Sequence, residues 1–248
     1  MKMNSKKVTI VCCYNNIEQY KRFCVSLEKQ NIDYELIGID NQEQKFDSCS
    51  NALNSVISEI NTEYVIFSHQ DIELPEEHML EDFVKYLEET GKRDILGVAG
   101  TLKECTKVAS YVRHGTKLQC AGEVKYKGLL ECDTVDECFF GGRTKQFQNE
   151  MFDERLCDDW HLYAVEYCLR IRVNGAHAWV CDVPLLHYSS GKINHTYNEN
   201  FRKIAAYYAG VSDKIKALNT VCGSTKTDFI HRNLFYWKRE ILFKLHRL

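Results

Sequence analysis

The sequence predicts an α/β protein built on a mostly parallel sheet. Three observations carry this. Short continuous apolar runs alternate with segments of helical period through residue 100. Hydrophobic residues make up 44% of the 248 positions and proline only 2 residues, a composition that buries a sizeable core. No apolar run reaches the roughly 18 residues of a membrane span, so these runs belong to a folded interior.

Val8–Tyr14 is an unbroken apolar run, the signature of a strand covered on both faces. Ile17, Tyr20, Cys24 and Leu27 then recur at helical spacing. Tyr34–Asp40 is a second strand. Asp47 or Ser48 caps a helix that carries Ala52, Leu53, Val56, Ile57 and Ile60 on one face. Tyr64–His69 is a third strand. A helix after Pro75 presents Leu80, Phe83, Val84 and Leu87, and Ile95–Gly100 is a fourth strand. Beyond Thr101 come short strand-like runs, 107–113, 117–126 and 134–140. A helix then covers about Asp158–Asn174, ending at Gly175, which suits a helix C-cap. Residues 176–183 and 185–188 read as extended, and 200–218 and 229–248 as helical.

The formal charge of −3 disfavours a general nucleic-acid binder. None of the 12 cysteines forms a C-x-x-C pair, so a zinc ribbon or thioredoxin-like motif is not supported. The polar start, Met1–Lys7, lacks the apolar core of a signal peptide, and the expectation is a cytoplasmic protein with reduced, mostly structural thiols.

Ligands of open parallel sheets bind beyond the carboxyl ends of the strands. Those ends here are Tyr14-Asn15-Asn16, Asp40-Asn41 and Ser68-His69-Gln70-Asp71. Asp40 and Asp71 read either as turn residues or as ligands gathered on one edge. Neither G-x-G-x-x-G nor a P-loop follows the first strand, which argues against a dinucleotide oxidoreductase and a P-loop nucleotide hydrolase. A divalent metal at Asp71 is another way to neutralise a bound diphosphate.

These residues carry a resemblance. VTIVCCYNN (8–16), LIGIDNQ (36–42), SNALNSVI (50–57), YVIFSHQDIEL (64–74), GVAG (97–100), FDERLCDDWHLYAVEYCLRIRVNG (152–175) and LLHYSSG (185–191) follow in the order of a family 2 glycosyltransferase. The HQD form resembles a bacterial branch in which that triplet replaces Asp-x-Asp. The resemblance implies a GT-A domain over 1–195, with a nucleotide-binding half (about 1–100) and an acceptor half (about 101–195). A C-terminal helical extension would follow over 196–248.

By the same resemblance Cys12, Cys13, Tyr14, Asn15 and Asp40 hold the nucleotide, and His69, Gln70 and Asp71 hold the donor. Asp71 and His187 bind a divalent ion, Mn²⁺ or Mg²⁺. Tyr163-Ala164 stands where the family places its acidic pair, so the catalytic base is Asp159, Asp158 or His161, or none of them. Trp160 is either a sugar-stacking residue for the acceptor or core filler, and Arg143 either a phosphate contact or part of a simple loop. Glu166 and Arg170 are spaced for an ordinary i,i+4 ion pair.

The implied activity is inverting transfer from a nucleotide diphosphate sugar, UDP by default, to a glycan or lipid-linked hydroxyl in bacterial surface polysaccharide or glycoconjugate synthesis. Competing readings are a sugar nucleotidyltransferase, a non-catalytic nucleotide-sugar or glycan-binding domain, and an α/β domain whose cysteines hold metal.

Residues 229–248 carry five Lys/Arg against one acid. Ile230, Leu234, Trp237, Ile241, Leu245 and Leu248 recur every three or four positions. That is the pattern of a helix lying on a membrane surface, or of a terminal helix packed on the domain or on a second subunit in a homo-oligomer.

Overall fold

A computed structural model describes residues 7–103, 106–189 and 193–245. The chain begins with three β-α units. Strand β1 (Val8–Tyr14) leads into helix α1 (Ile17–Leu27), β2 (Tyr34–Asp40) into α2 (Cys49–Ile57), and β3 (Tyr64–Ser68) through β4 (Ile72–Glu73) into α3 (Met79–Glu89). Asn16 caps α1 by accepting the N–H groups of Glu18 and Gln19, each at 3.1 Å, and Ser48 caps α2 through Asn51 N–H at 3.2 Å.

Strands β5 (Ile95–Gly97), β6 (Ala99–Thr101), β7 (Val108–Ser110), β8 (Arg113–His114), β9 (Gln119–Cys120), β10 (Leu129–Cys132), β11 (Thr134–Val135) and β12 (Phe139–Arg143) follow. Then come α4 (Thr144–Asn149), α5 (Tyr163–Val173), β13 (Ala178–Cys181), β14 (Leu186–His187), α6 (His195–Val211), the hairpin β15 (Ala217–Thr220) and β16 (Gly223–Lys226), and α7 (Phe229–Lys244).

The main sheet has seven strands in the order β10-β13-β5-β12-β3-β1-β2. Strand β1 pairs in parallel with β2 and β3, and β13 with β5, while β12 and β10 run against their neighbours. Alternation along β1 explains its unbroken apolar run. Val8, Ile10 and Cys12 enter one core with Phe23 and Leu27 of α1 and Phe83 of α3. Val11 enters the other with Ala52 and Leu53 of α2 and Leu169 of α5.

Four expectations change. The run at 95–100 is two strands in different sheets, β5 and β6. The late helix starts at Tyr163 and not near Asp158, because Leu162 adopts a left-handed φ of 71° that no helix continues through. The helix expected over 200–218 spans His195–Val211, and the chain then turns into the β15–β16 hairpin. Finally, the segment after residue 195 does not stand apart: Tyr197, Phe201, Ile204, Tyr208 and Leu218 share the core of α2 and α5.

Candidate active site

Three strand ends meet at the carboxyl edge of the sheet. Gln70 ties two of them: its Oε1 accepts the N–H groups of Asn15 (3.0 Å) and Asn16 (2.8 Å), and its Nε2 donates to Asn15 Oδ1 (2.8 Å). A glutamine in the middle of the HQD triplet is thus a clamp between β1 and β3. Asp40 ends β2 and is fully exposed. The Gln42 backbone N–H, the Gln42 side chain and Tyr14 hold its carboxyl below the ordinary value.

Asp71 and His187 come from residues more than a hundred positions apart. Strand β14 pairs antiparallel with β4, His187 lies opposite Ile72, and Tyr188 N–H donates to Asp71 O at 3.0 Å. That ladder brings His187 Nε2 to 3.4 Å from Asp71 Oδ1. His69 completes the cluster, its ring centroid 5.5 Å from that of His187. One ligand atom from each of His69, Asp71 and His187 lies within 4.8 Å of the others.

Burial pushes the His69 imidazole down to about 4, helped by the neighbouring His187 charge, so near neutral pH the ring is uncharged. Burial alone would raise the Asp71 carboxyl, but the hydrogen bond and charge of His187 hold it below its ordinary value. Burial opposes the charged form of His187 too, and Asp71 overrides it and raises the imidazole. Two imidazoles and one carboxylate form a donor set for a divalent cation. His187 Nε2 is buried and its contact with Asp71 Oδ1 is long, at 3.4 Å, which fits a ligand atom aimed into such a site.

Cavities lie on both sides of this cluster. One of about 250 Å³ is lined by Cys13, Asn15, His69, Asp71, Trp160 and Tyr163. It opens beside a polar hollow formed by Asn41, Gln42, Gln44, Asp47 and the same Trp160. Opposite, a cavity of about 270 Å³ is lined by Val112, His114, Asp136, His187 and Cys222, with a smaller one beside it that adds His161, Tyr197 and Thr220. Cys12 lies beneath this edge, fully buried; burial pushes the Cys13 thiol up to about 11, which makes it a poor nucleophile.

The acids expected to supply a base separate. Asp158 is half-exposed and pairs with Lys203 at 2.7 Å. Asp159 turns inward, its backbone carbonyl accepting Cys49 N–H at 3.2 Å and its Oδ2 buried without a hydrogen-bond partner among the described residues. His161 lines both the cavity of about 250 Å³ and the smaller one opposite, and burial lowers its imidazole. Asp158, Asp159 and His161 all precede α5. Glu166 is buried against Arg170 (3.1 Å) and Tyr208 Oη (2.7 Å).

Arg143 is corrected. It sits opposite Tyr64 at the far end of β12, pairs with Glu63 at 2.7 Å and lies over the Tyr64 ring. Because β12 runs antiparallel, its last residue lies at the edge of the sheet away from His69.

The same reversal puts Asp136 and Glu137, just before β12, at the functional edge. Asp136 lines both cavities on the His187 side. Glu137 is buried and its Oε1 accepts Leu162 N–H at 2.6 Å, holding the left-handed residue that ends the His161 loop. Burial, then the Asp136 charge, pushes the Glu137 carboxyl up to about 8.

The sheet, its crossover helices and the cleft at the strand ends define the class of protein, a GT-A fold. Solved structures share it. S. aureus TarS 1–349 in complex with UDP-GlcNAc superposes with a TM-score of 0.55 at 14% identity, over 81% of this chain and 65% of that one. GalNAc-T7 with UDP, GalNAc and Mn²⁺ gives 0.58 at 10% identity, over 82% and 49%. The mannosyltransferase PcManGT from Pyrobaculum calidifontis, in complex with GDP-Man and Mn²⁺, gives 0.56 at 11%, over 84% and 65%. The chain therefore spans from about half to two thirds of the length of these structures. A protein from Fuscovulum blasticum described as ATP synthase subunits region ORF 6 is 24% identical over 200 residues, 77% of this chain and 76% of that one. A family model described as a glycosyltransferase-like family matches residues 9–209. The chain belongs to that glycosyltransferase-like family.

Proposed function

We propose that the protein transfers a glycosyl group, with inversion, from a nucleotide diphosphate sugar to a hydroxyl of a glycan or lipid-linked acceptor, in bacterial surface polysaccharide or glycoconjugate synthesis. One observation carries the reading: His69, Asp71 and His187 stand between two sets of cavities at the carboxyl edge of the sheet. The donor belongs on the β1–β3 side, with its base in the polar hollow near Asp40 and Trp160. UDP is the expected nucleotide; UDP and GDP-Man appear with the similar structures above.

His69, Asp71 and His187 would hold a divalent ion, Mn²⁺ or Mg²⁺. When bound it neutralises the charge that develops on the leaving diphosphate. The chain's own residues do the rest. The Gln70 clamp fixes the loop on which the diphosphate lies. Trp160, on the wall shared by the hollow and the donor cavity, offers a flat apolar surface. The acceptor hydroxyl enters from the opposite side and needs a carboxylate there to take its proton. Asp136 faces that side, whereas Asp159 keeps Oδ2 sealed and Asp158 is tied to Lys203. We assign the proton acceptor to Asp136.

The test is thermal stability against UDP, GDP, dTDP and CDP, with and without Mn²⁺, for the native chain and Asp71→Ala. A diphosphate at about 100 times its dissociation constant adds roughly 2.7 kcal/mol. The expected result is a metal-dependent shift with one nucleotide that Asp71→Ala abolishes. An equal shift in the variant overturns the donor site.

A further inference from the structure

We infer that α7 lies flat on an anionic lipid surface and holds the acceptor side of the cleft against it. The lipid contact stands on the surface of α7 alone; naming the acceptor side rests on the function proposed above.

The outward face of α7 is apolar along its whole length. Ile230, Leu234, Trp237, Ile241 and Leu245 recur at steps of four, three, four and four, and each is between 55 and 64% exposed. A 16-residue helix is about 24 Å long, so the stripe runs the length of the element. Soluble surfaces carry single exposed apolar residues, not an unbroken row with a tryptophan at its centre. Lys238 and Lys244 are exposed and flank the stripe, one on either side on a helical wheel of 100° per residue. Lysines at that latitude reach lipid phosphates while their stems follow the apolar face. This charge chooses the occupant. The tail is basic and the remainder of the chain acidic, so an anionic bilayer attracts this face and repels most of the others. A second copy would bring lysine against lysine along the same seam. Among the described residues no helix is long and apolar enough to cross a membrane, so the helix lies on the surface.

The inward face ties this surface to the cleft. Arg239 Nη1 donates to Cys222 O at 3.2 Å and the guanidinium lies over the Tyr197 ring. Cys222 and Tyr197 line the acceptor-side cavities. Glu240 accepts from Asn198 Nδ2 at 2.6 Å and lies 2.7 Å from His195 Nδ1, pinning α7 to α6. A helix fixed at the bilayer therefore sets the height of the acceptor opening above it, which suits an acceptor carried on a lipid.

Co-sedimentation of the full chain with vesicles of phosphatidylcholine alone, or with 30% (about one lipid in three) phosphatidylglycerol, tests the inference. Two lysines near the surface predict binding roughly ten- to thirty-fold tighter to the anionic vesicles. Leu234→Glu with Trp237→Glu should abolish binding, and Lys238→Glu with Lys244→Glu should remove the preference for anionic lipid. Both pairs are exposed, and an unchanged thermal melt confirms that each variant is folded. No vesicle binding by the native chain, or equal binding to both compositions, overturns the inference. So does a native dimer by light scattering that the Leu234/Trp237 variant dissolves, because a second copy would then cover the face. None of these readouts depends on a nucleotide, so they fail or succeed separately from the donor-site test.

Discussion

Glu137 offers a perturbation whose two halves separate. Its carboxyl accepts the N–H of Leu162, a buried residue held at φ 71°, immediately after Trp160 and His161. Glu137→Ala leaves that buried N–H without its partner, which costs about 1–3 kcal/mol, and removes the brace from a conformation that itself costs roughly 1–2 kcal/mol. The expected total is about 2–5 kcal/mol, a fall in Tm of roughly 4–20 °C for a chain of this size. Glu137→Gln keeps an acceptor oxygen in the same place and cannot ionise. The native carboxyl is raised above its ordinary 4.5 to about 8, so the folded state holds a proton that the unfolded chain releases. The stability this gives is present in full below pH about 4.5 and is lost as pH rises through about 8. Glu137→Gln should therefore flatten the stability profile across that interval and leave the native chain the less stable of the two above it. Urea melts at intervals of one pH unit measure both effects. Parallel profiles for the native chain and Glu137→Gln would refute the buried, protonated carboxyl. A Glu137→Ala variant as stable as Glu137→Gln would refute the brace.

Asp136→Asn should lower glycosyl transfer by about 10²-fold or more with nucleotide binding unchanged, while Asp159→Asn keeps most activity; the reverse order, read from product formation, returns the base to Asp159. Asp158→Asn removes a half-exposed pair with Lys203 and should cost less than about 1 kcal/mol in a urea melt, with activity retained. Gly141→Ala should destabilise strongly, by about 2 kcal/mol or more. Its Cβ would stand 2.2 Å from Val65 O in the neighbouring strand, where only backbone movement relieves the clash.

The β-α alternation was readable because each element there is long and has one period. Strands covered on both faces are continuously apolar, and α2 carries a cap that the sequence displays. The placement of Asp40, His69, Gln70 and Asp71 at one edge followed, since all of them end parallel strands. The opposite side was less legible: strand β12 runs against its neighbours, so Arg143 lies at the far edge and Asp136, before the strand, at the carboxyl edge. A five-residue strand shows no direction in its sequence. The late helix was drawn too early because acids at 158 and 159 imitate a helix start, and the left-handed turn at Leu162 leaves no mark in residue type. The hairpin at 217–226 had a signal: Thr220-Val221-Cys222-Gly223 combines β-branched residues with a glycine at φ 148°. Helical neighbours on both sides masked it.

The walls of the cleft are made at different times during synthesis. The clamp from Gln70 to Asn15 closes between segments 55 residues apart, early in the chain. Asp71 waits for His187, and the loop at Cys222 is fixed only when Arg239 emerges. At translation speeds of about 5–20 residues per second, roughly 8–34 seconds separate the first of these contacts from the last. In a nascent chain the residues of the β1–β3 side of the cleft are therefore all present well before those of the opposite wall. The contact that secures that wall comes from the same helix whose outer face meets the lipid in our inference, so completion of the cleft and arrival at the surface would coincide.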